Sequence, residues 1–307
     1  MGIVPAATFI IAGITTQFFY KSSEIAIIHC NAGLLSISMA ILLGFADCVL
    51  GLKWRYKLIM PFFASLPLLV CYSGLTSIKI PIFLRGIFGP WIDLGILYYF
   101  YMIVFAIFTT NAINIYAGVN GIEVGQSLIT ATGVALYNGL ELSWIPLDKT
   151  EERFAHIFSL SLILPFIGVS LALFKYNKYP SQVFVGDTYT YFAGMVFAVV
   201  GILGHFTETL LLLFIPQILN FLFSLPQLFG IIYCPRHRLP KLNQKTLKLE
   251  SVPNHFTLIN AFLRICGPTN EKQTVNALLL FQTITCGIGL SLKYSFSKLL
   301  FGPTTII

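Results

Sequence analysis

Four short segments hold the residues that could do chemistry. In TTNAINIYAGVNGIEVGQ, Thr109 to Gln126, the amides of Asn111 and Asn114 stand three residues apart, on one face of a helix. Gly118, Asn120, Gly121, Glu123 and Gly125 follow directly. Asp47, in LGFADCVLGLKWRYK, closes an apolar run and precedes Lys53, Trp54, Arg55 and Lys57. Asp187, in KYNKYPSQVFVGDT, opens another apolar run. CPRHRLPKLNQKTLK sets Arg236, His237 and Arg238 between Pro235 and Pro240, whose fixed φ keeps the backbone extended. Asp and Asn oxygens are hard ligands of the kind Mg²⁺ takes, often shared with substrate phosphates. Two guanidiniums beside an imidazole suit a diphosphate, because the Arg fork matches phosphate oxygens. Together they fit a Mg²⁺-dependent site for a phosphorylated lipid or a nucleotide diphosphate.

Each segment has a plainer alternative. The asparagines could be a polar helix end followed by a C-cap glycine. Asp47 could be a helix-end carboxylate paired with a nearby lysine, and Trp54 an interfacial anchor. Asp187 could be an N-cap. The basic loop could be solvated near anionic lipid heads. The convergence of all four on one face is what favours a site over four coincidences.

The elements that must position these residues are membrane helices. The chain has 307 residues, 56% hydrophobic and 10% charged, against about 25% charged in soluble domains. That composition predicts an all-α, polytopic transmembrane bundle in one domain, residues 1–307. Apolar runs fall at Ile3–Phe19, Ile25–Ala46, Leu58–Leu75, Trp91–Phe108, Val124–Leu142, Phe154–Phe174, Tyr189–Leu203, Leu210–Ile231 and Val275–Leu292, about nine spans. The second, fourth, sixth and eighth must end on one side. Loops on that side hold twelve of the nineteen Lys and Arg, which predicts it to be cytoplasmic. All four chemical segments lie there, the last within a loop at about 233–274. The six cysteines show no metal or disulfide spacing and read mostly as small buried apolar residues. A phosphate loop of the GxxxxGK[ST] type is absent from the sequence, as is a Ser-His-Asp constellation. A channel or transporter would place polar groups near mid-span; here they gather at span ends, with Asp93, Glu141 and Glu208 near the opposite ends.

LGFAD with LKWRYK, TNAINIYAGVNGIEVGQS, VFVGDTYTYFAGM, VVGILGHF and CPRHRLPKLN, spread from about Leu34 to Pro268, resemble one family. It is the eukaryotic UDP-N-acetylglucosamine–dolichyl-phosphate N-acetylglucosaminephosphotransferases, of glycosyltransferase family 4 and the polyprenyl-phosphate sugar-phosphate transferase superfamily. The resemblance implies transfer of GlcNAc-1-phosphate from UDP-GlcNAc to dolichyl phosphate, at the cytoplasmic face of the endoplasmic-reticulum membrane, with sensitivity to tunicamycin. It implies Mg²⁺ held by Asn114 and Asp187, and catalytic roles for Asp47 and Lys57. Gly118, Asn120 and Phe184 match the uridine site, and Arg236, His237 and Arg238 the sugar and diphosphate loop. Trp54 matches the lipid entrance. Homodimers are common in the superfamily, and no nucleic-acid partner is expected.

The chain also departs from the family's pattern. Cys48, a soft thiol poorly suited to Mg²⁺, stands where the family has a second adjacent aspartate. Gly51 stands where an asparagine is usual. The family has ten spans, so about nine is what a chain lacking the first helix predicts. The spacer between the basic loop and Thr257 to Pro268 is also short for the family, in a region that reads as peripheral. The alternative function is therefore a truncated or diverged non-catalytic homologue that retains the fold and lipid or partner binding.

Overall fold

A computed structural model of the chain describes residues 1–20, 24–52, 54–235 and 238–301, with side chains at all of these but 19, 20, 54, 55, 58 and 297–301. The chain is helical, as the apolar runs require, since a helix satisfies every backbone donor within one segment. The helices are α1 (Ile3–Thr16), α2 (Glu24–Leu50), α3 (Trp54–Val70), α4 (Arg85–Phe88), α5 (Ile96–Ile115), α6 (Ile122–Trp144), α7 (Thr150–Asn177), α8 (Gly186–Leu203), α9 (Thr207–Leu213), α10 (Ile215–Leu228), α11 (Leu258–Cys266) and α12 (Glu271–Phe301). Two small antiparallel hairpins accompany them: β1 (Ser77–Lys79) with β2 (Trp91–Asp93), and β3 (Lys241–Asn243) with β4 (Lys248–Glu250).

Each apolar run coincides with a helix or a pair of helices, but several boundaries differ from expectation. The fourth span starts at Ile96, not Trp91, because Trp91 pairs with Lys79 in a hairpin. Gly95 at φ +50° turns the chain there, and its N–H goes to Asp93 Oδ1 at 3.0 Å. The eighth run breaks at Phe214, where α9 and α10 meet at a 75° bend. Among the described residues, five helices are by length and apolar composition able to cross a membrane (α2, α5, α7, α8 and the Glu271–Phe296 part of α12), or six with the bent pair. The expected nine is not reached on that criterion. Two cysteines, Cys30 and Cys286, are buried; Cys48, Cys234 and Cys266 are exposed and Cys71 is intermediate, which corrects the expectation of mostly buried thiols.

α8 is the pillar of the bundle. Every residue from Thr188 to Leu203 is buried, and α2 and α5 pack on it closely because small residues let them. A Cβ at Gly33 of α2 would meet Val199 Cγ1 at 2.7 Å, and one at Gly44 would meet the carbonyl of Asp187 at 2.7 Å. On the other side, a Cβ at Gly194 of α8 would lie 2.6 Å from Thr109 O and clash with the Thr110 backbone on α5. That contact is backbone and has no flexible end to give way. Gly194→Ala is therefore expected to cost about 3 kcal/mol and to lower the melting temperature in detergent by several degrees. Gly139→Ala on α6, with nothing within 4 Å, is the control and should leave it unchanged.

A second, smaller core lies at the end of the bundle that holds the chemical segments. Tyr116, Val119 and Ile122 pack there with Leu249 of β4, Ile259 and Leu263 of α11, and Val275 and Leu278 of α12. The spacer between the basic loop and Thr257 is thus not peripheral, because its Leu249 is buried in this core with Ile259 and Leu263 of α11.

Candidate active site

The close approach of α2 to α8 decides where Asp47 and Cys48 point. Both follow Gly44 by one helical turn, so they face the first turn of α8. Cys48 Sγ accepts the Asp187 N–H at 3.1 Å and lies 3.7 Å from Thr188 Oγ1. Asp47, 2% exposed, accepts the Leu52 N–H on Oδ1 at 3.1 Å. The chain reverses at Gly51, whose φ is +61°. Glycine and asparagine are the residues that tolerate this conformation, so Gly51 in place of an asparagine keeps the turn. The turn returns Lys57, early in α3, against Asp47: Nζ sits 2.6 Å from Asp47 Oδ2 and 3.5 Å from Asp187 Oδ2. Among the described residues, Asp47 Oδ2 has no hydrogen-bonding partner other than this ammonium.

Asp187 is not an N-cap. Val185 holds that position and no side chain caps the helix. Asp187 is 31% exposed at its side chain, so its carboxylate faces both Lys57 and the open end of the bundle. Two carboxylates and one ammonium leave this cluster with a net charge of −1.

Asn114 joins from α5. Asp187, Tyr191 and Gly194 lie along one stripe of α8, and the contact of Gly194 with Thr110 sets the register against α5. The buried Tyr191 hydroxyl meets the Asn114 side chain and lies within electrostatic reach of Asp47 and Asp187. Asn111, one turn earlier, is 3% exposed and donates Nδ2 to Ile107 O at 2.9 Å and Lys57 O at 3.4 Å. Its Oδ1 has no partner among the described residues.

The loop after α5 completes one wall. Gly118, at φ +120°, donates its N–H to Glu123 Oε1 at 3.0 Å, and Asn120 donates its N–H to Glu271 Oε1 at 2.8 Å. Leu239 presses on Gly118 so closely that a Cβ would clash. Beside it, Arg238 presents a buried Nη1 with no partner among the described residues, and burial holds its guanidinium below its ordinary pKa. Phe184, 80% exposed, stands just ahead of α8. Arg236 and His237 lie outside the described residues, as does the side chain of Trp54. The bundle thus brings Asp47, Lys57, Asn114 and Asp187 to one end, with Gly118, Asn120, Phe184 and Arg238 on that same end.

A match to the family model "Glycosyl transferase family 4" covers residues 31–205, more than half of the chain and every site position from Asp47 to Asp187. The chain belongs to glycosyl transferase family 4. Curated relatives of this family-4 transferase include proteins named UDP-N-acetylglucosamine--dolichyl-phosphate N-acetylglucosaminephosphotransferase from three organisms. That of Dictyostelium discoideum is 50% identical over 96% of this chain and 76% of its own length. That of Schizosaccharomyces pombe is 54% identical over 74% of this chain and 51% of its own length. That of Saccharomyces cerevisiae is 43% identical over 88% of this chain and 69% of its own length. The family-4 transferase therefore spans from about half to three quarters of the length of these relatives.

The donor set of this family-4 transferase fits a hard divalent cation. No group of three His, Cys, Asp or Glu side chains able to hold a metal occurs among the described residues. What the site offers is one accessible carboxylate, neutral amides and a net negative charge, leaving the remaining positions to water and phosphate oxygens. Mg²⁺ is usually held this way, by one or two carboxylates plus substrate. Tyr191 and Glu271 were not singled out by the sequence. Tyr191 does lie one turn after Asp187, a spacing that could have found it, whereas no local pattern links Glu271 to Asn120.

Proposed function

We propose that this chain is a membrane-embedded transferase that moves GlcNAc-1-phosphate from UDP-GlcNAc to dolichyl phosphate, giving GlcNAc-diphosphate-dolichol and UMP. The names and 43–54% identity of its curated relatives support the substrates. The observation that carries the chemistry is the Asp47–Lys57–Asp187 cluster at the same end as Asn114, Arg238 and the Gly118–Asn120 loop.

In this reading a dolichyl phosphate oxygen attacks the β-phosphorus of UDP-GlcNAc. A new P–O bond forms as the bond between that phosphorus and the bridging oxygen breaks, and UMP leaves with the electron pair. The nucleophile is already an anion, so the work of the site is positioning and charge neutralisation. Lys57 supplies a fixed positive charge for the phosphates. Asp47, too buried to meet substrate, acts through Lys57 by holding its ammonium in place. Asp187 and Asn114 would hold Mg²⁺, which when bound neutralises charge on the diphosphate and the departing phosphate. Arg238 offers to the diphosphate–sugar end an Nη1 that has no partner among the described residues; Arg236 and His237 are assigned to the same role by the family resemblance. Phe184 gives an exposed ring for the uracil, and Gly118 and Asn120 the wall beside it; Trp54 is assigned to the lipid entrance by the family resemblance alone. The membrane is that of the endoplasmic reticulum, with the site facing the cytoplasm.

The test is the identity of the nucleotide released. Phosphotransfer from UDP-GlcNAc yields UMP in step with lipid-linked sugar. Release of UDP, or hydrolysis without lipid product, would overturn the reading. Cys48 is the observation on the side of a non-catalytic homologue. Its sulfur already accepts the Asp187 N–H, a bond a carboxylate also makes, so Cys48→Asp is expected to raise the transfer rate, read in the same assay. An unchanged rate would show that this position does not limit the chemistry.

A further inference from the structure

The loop at 116–121 has two of its backbone donors taken by carboxylates from different helices. Gly118 donates to Glu123 of α6, and Asn120 donates to Glu271 of α12, which is 151 residues further along the chain. Glu271 is the first residue of α12 but does not cap it. Asn270 does that, accepting the Gln273 N–H on Oδ1 at 2.8 Å. The Glu271 carboxylate is thus spared for the loop. The loop needs such a restraint. Gly118 and Gly121 have φ of +120° and +92°, and a segment between two glycines has many conformations open to it when nothing holds it. α12 also shares an apolar core with the loop, since Val119, Val275 and Leu278 belong to the same small cluster.

We propose that Glu271 is a positioning residue for the nucleotide donor, fixing through the Asn120 N–H the loop that presents Gly118 and Asn120 to the nucleoside. This rests on the reading of that loop as the nucleoside wall. Because the protein takes the Asn120 amide N–H, Asn120 has its side-chain amide and its carbonyl left for the ligand. The device also ties donor binding to α12.

The test compares Glu271→Ala, which removes the acceptor, with Glu271→Gln, which keeps a carbonyl acceptor without the charge. Glu271→Ala is expected to raise KM for UDP-GlcNAc about tenfold, the scale of one lost hydrogen bond at a positioned backbone donor. KM for dolichyl phosphate and kcat should stay within about twofold to threefold, and Glu271→Gln should behave like the parent. Equal loss in both variants, or equal shifts in both KM values, would overturn the proposal in favour of a charge or a general structural effect. Hydrogen exchange without substrate gives a second readout. Protection of the amides at 116–121 should fall in Glu271→Ala and persist in Glu271→Gln, at an unchanged melting temperature; unaltered protection in Glu271→Ala overturns the tether. This measurement judges the tether even if UDP-GlcNAc fails as the donor, whereas the kinetics of the parent chain judge the donor.

Discussion

Asp187→Ala is expected to lower transfer about a hundredfold to a thousandfold, the scale seen when a principal transition-state electrostatic contact is removed. It should also abolish the Mg²⁺-dependent part of UDP-GlcNAc binding. The reason lies in how the two carboxylates differ. Asp47 is 2% exposed and committed to Lys57, whereas Asp187 keeps 31% of its side chain open and is 3.5 Å from that ammonium. Only Asp187 can reach outward to a ligand. The fold should survive the change, because the Asp187 N–H bound by Cys48 belongs to the backbone and Lys57 keeps its closer partner. Asp187→Asn, which keeps an oxygen donor without the charge, should retain weak binding at raised Mg²⁺ if metal binding is the role. Binding is read by calorimetry with Mg²⁺ or EDTA, and folding by melting temperature. An Asp187→Ala protein with unchanged turnover would remove the metal assignment.

Lys57→Met carries the second large effect, on stability as well as activity. Among the described residues it leaves the buried Asp47 carboxylate with one hydrogen-bond donor, the Leu52 N–H at 3.1 Å. Breaking a buried pair from one side costs about 3–5 kcal/mol, because the remaining charge is uncompensated. The melting temperature in detergent should fall by several degrees, and transfer should be lost. Adding Asp47→Asn removes the stranded charge, so the double variant should recover most of the stability but none of the activity. That split is diagnostic. Recovery of both would mean the pair is only structural, and an unchanged melting temperature in Lys57→Met would mean that Asp47 is solvated.

Much of the site was legible because it is carried by residues at helix ends within short segments. The Asp47–Lys57 pair is the plain alternative for Asp47, and in the structure it lies beside Asp187. The N-cap alternative for Asp187 failed because position in a helix is decided by backbone geometry, and Gly186 at φ +69° starts α8 one residue before Asp187. The helix in place of Trp91–Asp93 was misread because an apolar strand paired with a neighbour has no periodicity to separate it from a span. The bend at Phe214 had a signal in Pro216, which opens α10 and cannot continue α9, but the apolar residues on both sides read as one run. Glu271 and the packing of α11 beneath the loop are contacts across long sequence separations, which composition and spacing do not encode. Cys48 was legible as a departure, but its bond to the Asp187 N–H appears only once α2 lies on α8.

The most direct measurement is transfer of labelled GlcNAc-phosphate from UDP-GlcNAc to dolichyl phosphate by the purified chain, with Mg²⁺ and with EDTA, beside Asp187→Ala. The predicted result is lipid-linked product and UMP in equal amount, formed with Mg²⁺, blocked by tunicamycin, and absent in EDTA and in Asp187→Ala. Folded protein that forms no lipid product with Mg²⁺, or forms it equally in EDTA, would contradict the assignment of Asp187, Asn114 and Lys57 to a Mg²⁺-dependent phosphotransfer site.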